Sequence, residues 1–412
     1  MARETAALEG ERAADAALVT LSTAEVEKDP HGVFRHYRPL TPFVGHEEGG
    51  YIVLRAGDVE RFTRDPRLRA TETEFPEMRG ITGGTLLALF KDGMLTSNGA
   101  AHRQRRSPFT RTFAAKLIAE LRPKIRSTAE ALIAEWYEEG EVDLVDRYAA
   151  LIPARTISDI LGLPKDDIPH FTRIVYRLSR VLSFLFQPDE IPELEEAASA
   201  LAAYAEELLN ERRRKPREDF LSAFVAAADA AGELSPFEIV AQIVALIMGG
   251  TDTTRVAAAM QVTLLLQDRA QWEAVCRDPA LVPGAVSEAL RYEPSVPGIG
   301  RFTLEEIPLD GRVLPAEAFL TLSSMSAMRD ERVYARPDVF DIHRTDHPRL
   351  HPVFGGGPHR CIGEVLTRTE LEEGLAALTT RIPQLQLAGD PPVLQGHIGI
   401  RRIDQMHVAW QR

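Results

Sequence analysis

Cys361 is the residue whose setting most invites chemistry. It sits in the stretch Phe354-Gly355-Gly356-Gly357-Pro358-His359-Arg360-Cys361-Ile362-Gly363. A glycine run lets the backbone take positive φ and come close to a flat ligand. The residues after it, Glu364 to Leu371, carry helical apolar spacing, which predicts Cys361 at a helix start. Free N–H groups, the helix dipole, Arg360 and His359 would all favour a thiolate there. A thiolate beside a flat surface suits a metal, and Gly363 leaves no side chain between the helix and that surface. Two plainer readings compete, because a lone cysteine is usually a small buried apolar residue and a glycine-rich loop is usually a turn. A phosphate cradle is excluded, since no Gly-Lys-Ser/Thr follows the glycines.

A second group, Gly249-Gly250-Thr251-Asp252-Thr253-Thr254, interrupts the best-signposted helix of the chain. Ser235-Pro236-Phe237-Glu238 is a capping box with proline at the first helical position, and the apolar pattern runs on to about Leu266, a span of roughly 50 Å. Ile239, Val240, Ile243, Val244, Leu246, Ile247 and Met248 are apolar almost all round, as in a buried helix that crosses a molecule. Two mid-helix glycines cost on the order of 1 kcal/mol each, and a buried acid costs more unless partnered. A kinked helix with a satisfied aspartate is the plain reading. The chemical one is that small residues open the helix beside a ligand, while Asp252 and Thr253 offer a proton source and a hydroxyl that orients water.

Two further sets carry weaker signals. His102 and Arg106 lie four apart, on one helix face, which by itself suits a solvated surface. Glu288 and Arg291 lie three apart, a spacing too common to mean anything alone.

Taken together, these motifs resemble the cytochrome P-450 family of haem-thiolate monooxygenases. Phe354, Gly355, Gly357, His359, Cys361 and Gly363 fall on its haem-binding signature, and Gly250-x-Asp252-Thr253-Thr254 is similar to its oxygen-activating motif. The resemblance covers essentially the whole chain, with four motifs in order. It implies that Cys361 is the axial metal ligand of haem b. It places His102, Arg106, Gly249, Arg301, Phe354, His359 and Gly363 around that cofactor, with His102, Arg106 and Arg301 toward its propionates. Asp252 and Thr253 become the catalytic pair. Glu288 and Arg291, joined by Arg344 from Phe340-Asp341-Ile342-His343-Arg344, become a structural ion network behind it. Family position puts Leu87, Phe90, Phe184, Val244, Ile247, Met248, Val296, Ile299 and Ile398 around a substrate pocket. Two departures are Asn98, where an acid is common, and Met328, where asparagine is usual.

The elements that must position these groups read as mainly helical with a small β-rich lobe, a P-450 fold whose long central helix crosses over haem. Residues 1–412 are expected to form a single domain, with 1–30 a loosely held leader. Gly49 to Arg55 reads as half of a hairpin with Phe43-Val44, and Phe319 to Leu322 and Val408 to Trp410 as strands. Thr71 to Gly99 reads as an irregular loop, which the resemblance places over the substrate, and Val181 to Pro188 as an apolar break. Pro294, Pro297, Gly298 and Gly300 predict an extended stretch.

Composition narrows the function. A net charge of −13 argues against nucleic acid, and two cysteines, Cys276 and Cys361, imply no disulfide framework. The polar N-terminus and the lack of a long apolar run argue against a membrane and for a soluble, cytoplasmic protein, expected to be a monomer. The resemblance implies an enzyme that takes O2 as co-substrate and hydroxylates an apolar small molecule. Length leaves no room for a reductase domain, so NAD(P)H would act indirectly, through a ferredoxin reductase and a ferredoxin. Residues 102–126 hold eight Lys/Arg against Glu120 alone, a local balance of 8 − 1 = +7, which predicts that an acidic ferredoxin docks behind Cys361. Two other classes remain open: a peroxide-driven or isomerising haem-thiolate enzyme, and a non-enzymatic carrier of haem or a hydrophobic ligand.

Overall fold

The structure, a computed structural model, describes residues 18–113, 115–183 and 185–411. Its axis is the helix Pro236–Gln267, 32 residues long. The capping box closes as the sequence implies: Glu238 N–H donates to Ser235 Oγ at 3.2 Å, and Ser235 N–H to Glu238 Oε2 at 2.9 Å. The helix packs against Leu151–Leu161, Ile168–Ser183, Ile191–Arg214, Val282–Tyr292 and Glu364–Arg381, so most of its circumference meets protein and an almost all-round apolar surface is required. Its two glycines do different things. A methyl on Gly250 would come 2.6 Å from Ile157 Cδ1, so this residue permits close helix packing, whereas a methyl on Gly249 would meet nothing within 4 Å.

The β-rich lobe is a six-stranded sheet. Its strands run in the order Thr20–Leu21, Phe43–His46, Tyr51–Val53, Phe319–Leu322, Ile299–Thr303, Leu68–Arg69. The hairpin read from the sequence is present, with Phe43 opposite Val53, and Ile299–Thr303 is the extended stretch that the prolines and glycines implied. Pairing of Arg301 with Leu320 fixes which residues of that strand face the helical lobe. Two small sheets, one of three strands and one of two, complete the β-sheets of the described residues.

Three expectations need correction. Residues 18–30 are not a loose leader: Leu21 and Val26 are buried, and Glu27 accepts hydrogen bonds from the Gly396 N–H and from His397 Nδ1. Residues 1–17 lie outside the described residues. The stretch from Thr71 to Gly99 is not simply irregular, since it contains the helices Glu74–Met78 and Gly84–Asp92. The second is capped from elsewhere in the chain: Glu195 accepts hydrogen bonds from the N–H groups of Thr85 and Leu86, which no local residue satisfies. The apolar break expected over Val181 to Pro188 starts later than that, since Val181, Leu182 and Ser183 form the last turn of the helix Ile168–Ser183, and Phe184 itself lies outside the described residues.

Candidate active site

Between the long helix and the cysteine loop lies a cavity of about 450 Å³, within the usual size range for small-molecule sites. The loop brings Cys361 to it. Gly357 takes φ +60°, and any Cβ there would sit 2.3 Å from the Thr63 carbonyl oxygen, so only glycine lets the loop lie against Thr63. Cys361 N–H donates to the Phe354 carbonyl at 2.9 Å, and the helix Glu364–Arg381 starts three residues on. The accessible surface of Cys361 faces the cavity, and around it the sulfur is enclosed by protein.

The electrostatics differ from the expected thiolate. Burial pushes the Cys361 thiol up, and the Gly363 amide, Arg106 and Arg360 offset this only in part. Arg360 is spent on Glu364, at 2.5 Å, and on the Gly355 carbonyl, and His359 is held neutral, with its pKa pushed down to about 3 mainly by burial. A metal on the sulfur is therefore what would fix the thiolate.

At one edge of the cavity four basic or imidazole groups stand without a carboxylate partner among the described residues. His102 Nε2 is buried with no hydrogen bond, and its ring centre lies 4.1 Å from that of His359. Arg301 is 5% exposed, donates only to the Gly300 carbonyl, and is pushed down to about 10 by burial. Arg106 donates to the Arg360 carbonyl at 2.7 Å. Buried cations normally have partners, so this edge fits a group that carries its own carboxylates. Gly249 and Thr253 of the long helix, together with Phe354 and Gly363, also line the cavity.

The expected catalytic pair is split. Thr253 Oγ1 donates to the Gly249 carbonyl at 2.9 Å and lies on the wall, whereas Asp252 is buried off the wall, accepting from Arg255 Nε at 2.7 Å. Arg255 in turn lies over the ring of Tyr176, 5.1 Å from its centre. Glu288, Arg291 and Arg344 come together as expected. Arg291 Nε and Nη2 grip Glu288 at 2.7 and 2.8 Å, Arg344 Nε adds a contact at 3.2 Å, and the Glu288 and Arg291 side chains are fully buried. Arg291 also uses the Met328 carbonyl, a backbone group, so the residue type at that position is not what matters.

Of the pocket residues expected from the sequence, Phe90, Val244, Met248, Val296, Ile299 and Ile398 line the cavity. Leu87 and Ile247 do not: they pack into the helical core. On the Gly84–Asp92 helix the lining face is Leu86, Leu89 and Phe90, spaced i, i+3, i+4, which puts Leu87 on the other side. Leu178, Val181 and Leu182 from Ile168–Ser183, and Phe75 and Phe319, complete much of the wall and carried no motif to mark them.

Glu370 is the one wall residue of unexpected kind. It is fully enclosed, neither carboxyl oxygen accepts a hydrogen bond, and burial raises its pKa to about 8. The hydroxyls of Thr156 and Thr254 offset this slightly, but Thr156 donates to the Ile152 carbonyl and Thr254 is shared with Thr367, which leaves burial dominant. Nine residues beyond Cys361 on an ordinary helix face, it carries no signal in the sequence.

A buried sulfur and an edge of two arginines and two histidines without carboxylate partners among the described residues, enclosed by helices, fit a flat, carboxylate-bearing metal group held through the sulfur. Comparison with known proteins agrees. The cytochrome P450 family matches residues 70–278 and 279–381. Over 385 residues the chain is 40% identical to the plant-inducible cytochrome P450-pinF1 of Rhizobium radiobacter, covering 93% of this chain and 91% of that one. It is 34% identical over 370 residues to nocardicin C N-oxygenase of Nocardia uniformis subsp. tsuyamanensis, covering 88% and 90%. Among solved structures, CalO2 is similar with a TM-score of 0.87 at 29% identity, covering 94% and 97% of the two chains. This chain belongs to the cytochrome P450 family and is a P450 monooxygenase, an oxidoreductase of haem-thiolate type. No helix among the described residues is long and apolar enough to cross a membrane.

Proposed function

We propose that the chain holds haem b through Cys361 and hydroxylates an apolar, uncharged small molecule with O2, using electrons that pass from NAD(P)H through a separate ferredoxin reductase and ferredoxin. The observation that carries this is the cavity itself: one wall offers a sulfur, one edge offers Arg106, Arg301, His102 and His359 to two carboxylates, and the rest is largely apolar. Haem, when bound, supplies the activation of O2 for insertion of one oxygen atom. The remaining work falls to side chains. Thr253 presents a hydroxyl at the cavity wall. Asp252, one residue away and held by Arg255, is placed to pass a proton toward that hydroxyl when it turns from the guanidinium. Arg79 and Arg180, candidate anchors for an acidic substrate, pair instead with Glu48 and Glu190, and neither they nor Lys91 line the cavity.

The test has two parts. The reduced carbon monoxide complex should show the red-shifted Soret band of thiolate ligation, and Cys361→Ser should abolish it; retention of the band in that variant would refute the ligand assignment. A screen for compounds that shift the Soret band should return apolar neutral molecules, and a set made only of organic acids would overturn the substrate class.

A further inference from the structure

The Gly84–Asp92 helix supplies Leu86, Leu89 and Phe90 to the cavity wall, and its two ends are held in different ways. Its C-terminal end is tied to buried groups. Gln242, which is fully buried on the long helix, donates to the Asp92 carbonyl at 2.8 Å and accepts from Met94 N–H at 2.8 Å. Arg105, itself clamped by Glu238 at 2.8 Å, donates to the Lys91 carbonyl at 3.0 Å. Its N-terminal end follows the exposed residues Thr82, Gly83 and Gly84, is seated in the core by Leu86, and has its first amides held by one carboxylate. Glu195, on the helix Ile191–Arg214, accepts from Thr85 N–H at 2.6 Å through Oε1 and from Leu86 N–H at 2.9 Å through Oε2. Ser199 on the same helix adds a hydroxyl contact to Thr85 at 2.9 Å. A negative charge on free amides at a helix start is favourable. The fit is close from both sides: Gly84 takes φ +79°, and a Cβ there would lie 2.5 Å from Glu195 Oε2.

We propose that Glu195 is the positioning residue that latches the cavity lid. Its carboxylate holds the amide end of Gly84–Asp92 closed against Ile191–Arg214, and its release lets that helix swing about the end buried at Gln242, opening the wall to an apolar molecule. The asymmetry of the two ends decides which one moves, because elements open locally where few buried bonds must break. The functional part rests on the cavity being the substrate pocket, whereas the latch itself does not.

The test uses the holoenzyme, amide hydrogen exchange, and 4-phenylimidazole as an apolar probe read by its Soret shift, with carbon monoxide as a small control. Glu195→Ala should speed exchange at Thr85 to Phe90 about fivefold, the usual scale for loss of a cap, while leaving Met94 unchanged. Association and dissociation of 4-phenylimidazole should both quicken, with carbon monoxide binding unaltered. Glu195→Gln, which keeps one acceptor, should fall between, and Gly84→Ala should reproduce the effect from the lid side. Unchanged exchange at Thr85 and Leu86, or equal acceleration at Met94, would overturn the latch. A holoenzyme in which 4-phenylimidazole shifts no Soret band would overturn the substrate-pocket reading instead, and the exchange rates would still judge the latch.

Discussion

The two sides of the cavity are built by opposite strategies. The sulfur side is made from one short stretch, 354–363, whose glycines, proline and cysteine fix the loop almost by themselves. The far side is assembled from segments more than 200 residues apart, among them Phe75, Leu86, Leu182, Val244 and Phe319, held by tertiary contacts such as Glu195 on Thr85. Chemistry common to a family can be written locally, whereas the shape that selects a substrate is spread over many apolar positions, each free to change.

The largest effect should come from breaking the support of the sulfur side. Glu288 is fully buried among Arg291, Arg344 and the Asp341 N–H. Glu288→Gln leaves the Arg291 guanidinium without its counter-charge and Arg344 with Asp346 alone, and removing one partner of such a buried set costs about 3–5 kcal/mol. Little holoenzyme should accumulate, and what does should unfold at lower denaturant concentration. A variant with wild-type haem content and midpoint would show that the network bears on neither.

Thr253→Ala acts at the boundary between the sides. It removes a wall hydroxyl and leaves the Asp252–Arg255 pair in place. Substrate binding and NADH use should persist while product per NADH falls severalfold and hydrogen peroxide rises, since a proton is no longer held at that point of the wall. Undiminished coupling would remove Thr253 from the mechanism.

How much of this is legible in the sequence follows the same division. The long helix, the hairpin, the cysteine loop and the Glu288–Arg291–Arg344 set can be read because cap, turn and motif residues lie close in sequence. The Gly84–Asp92 helix escapes such a reading because its cap, Glu195, comes from another helix, and Leu87 is misplaced because helical phase cannot be set without that helix. Residues 18–30 read as a loose leader because nothing local shows that Glu27 will meet His397, whose loop carries Ile398 into the cavity wall. The eight-cation run is present in the sequence, but fewer of its charges are free than their number implies. Arg105 is buried on Glu238, Arg106 lines the cavity, and Arg122 and Arg126 are paired with Glu372 and Glu373.

Glu370 gives a pH-dependent test of the wall. Its folded pKa, about 8, lies above the ordinary 4.5, so the folded state holds a proton that the unfolded chain releases. The stability tied to this group is fully present below about pH 4.5 and is lost as pH rises through about 8. Glu370→Gln, always neutral, should lose less stability than wild type between those limits. Parallel denaturation midpoints across that range would show that the carboxyl does not carry the shift.

The smallest effect expected is at the outer surface, where the sequence pointed to an acidic ferredoxin. Arg103, Arg111 and Lys124 remain exposed without an ion pair among the described residues; the Lys116 side chain lies outside them. Three exposed cations on a chain of net charge −13 would steer an acidic partner toward this face. Charges at the surface act over about 8 Å at physiological ionic strength, so each reversal should slow ferredoxin-supported turnover by only about two- to threefold, and added salt should shrink the difference. Arg103→Glu, Arg111→Glu and Lys124→Glu should compound, because exposed and separate charges add. Arg105→Glu is no control for this effect, as it would bury an acid against Glu238 and strain the lid's fixed end. If the triple reversal left both the rate and its salt dependence unchanged, electrons would have to enter through another face, with the arginines at 122 and 126 serving only to pin their helix to Glu364–Arg381.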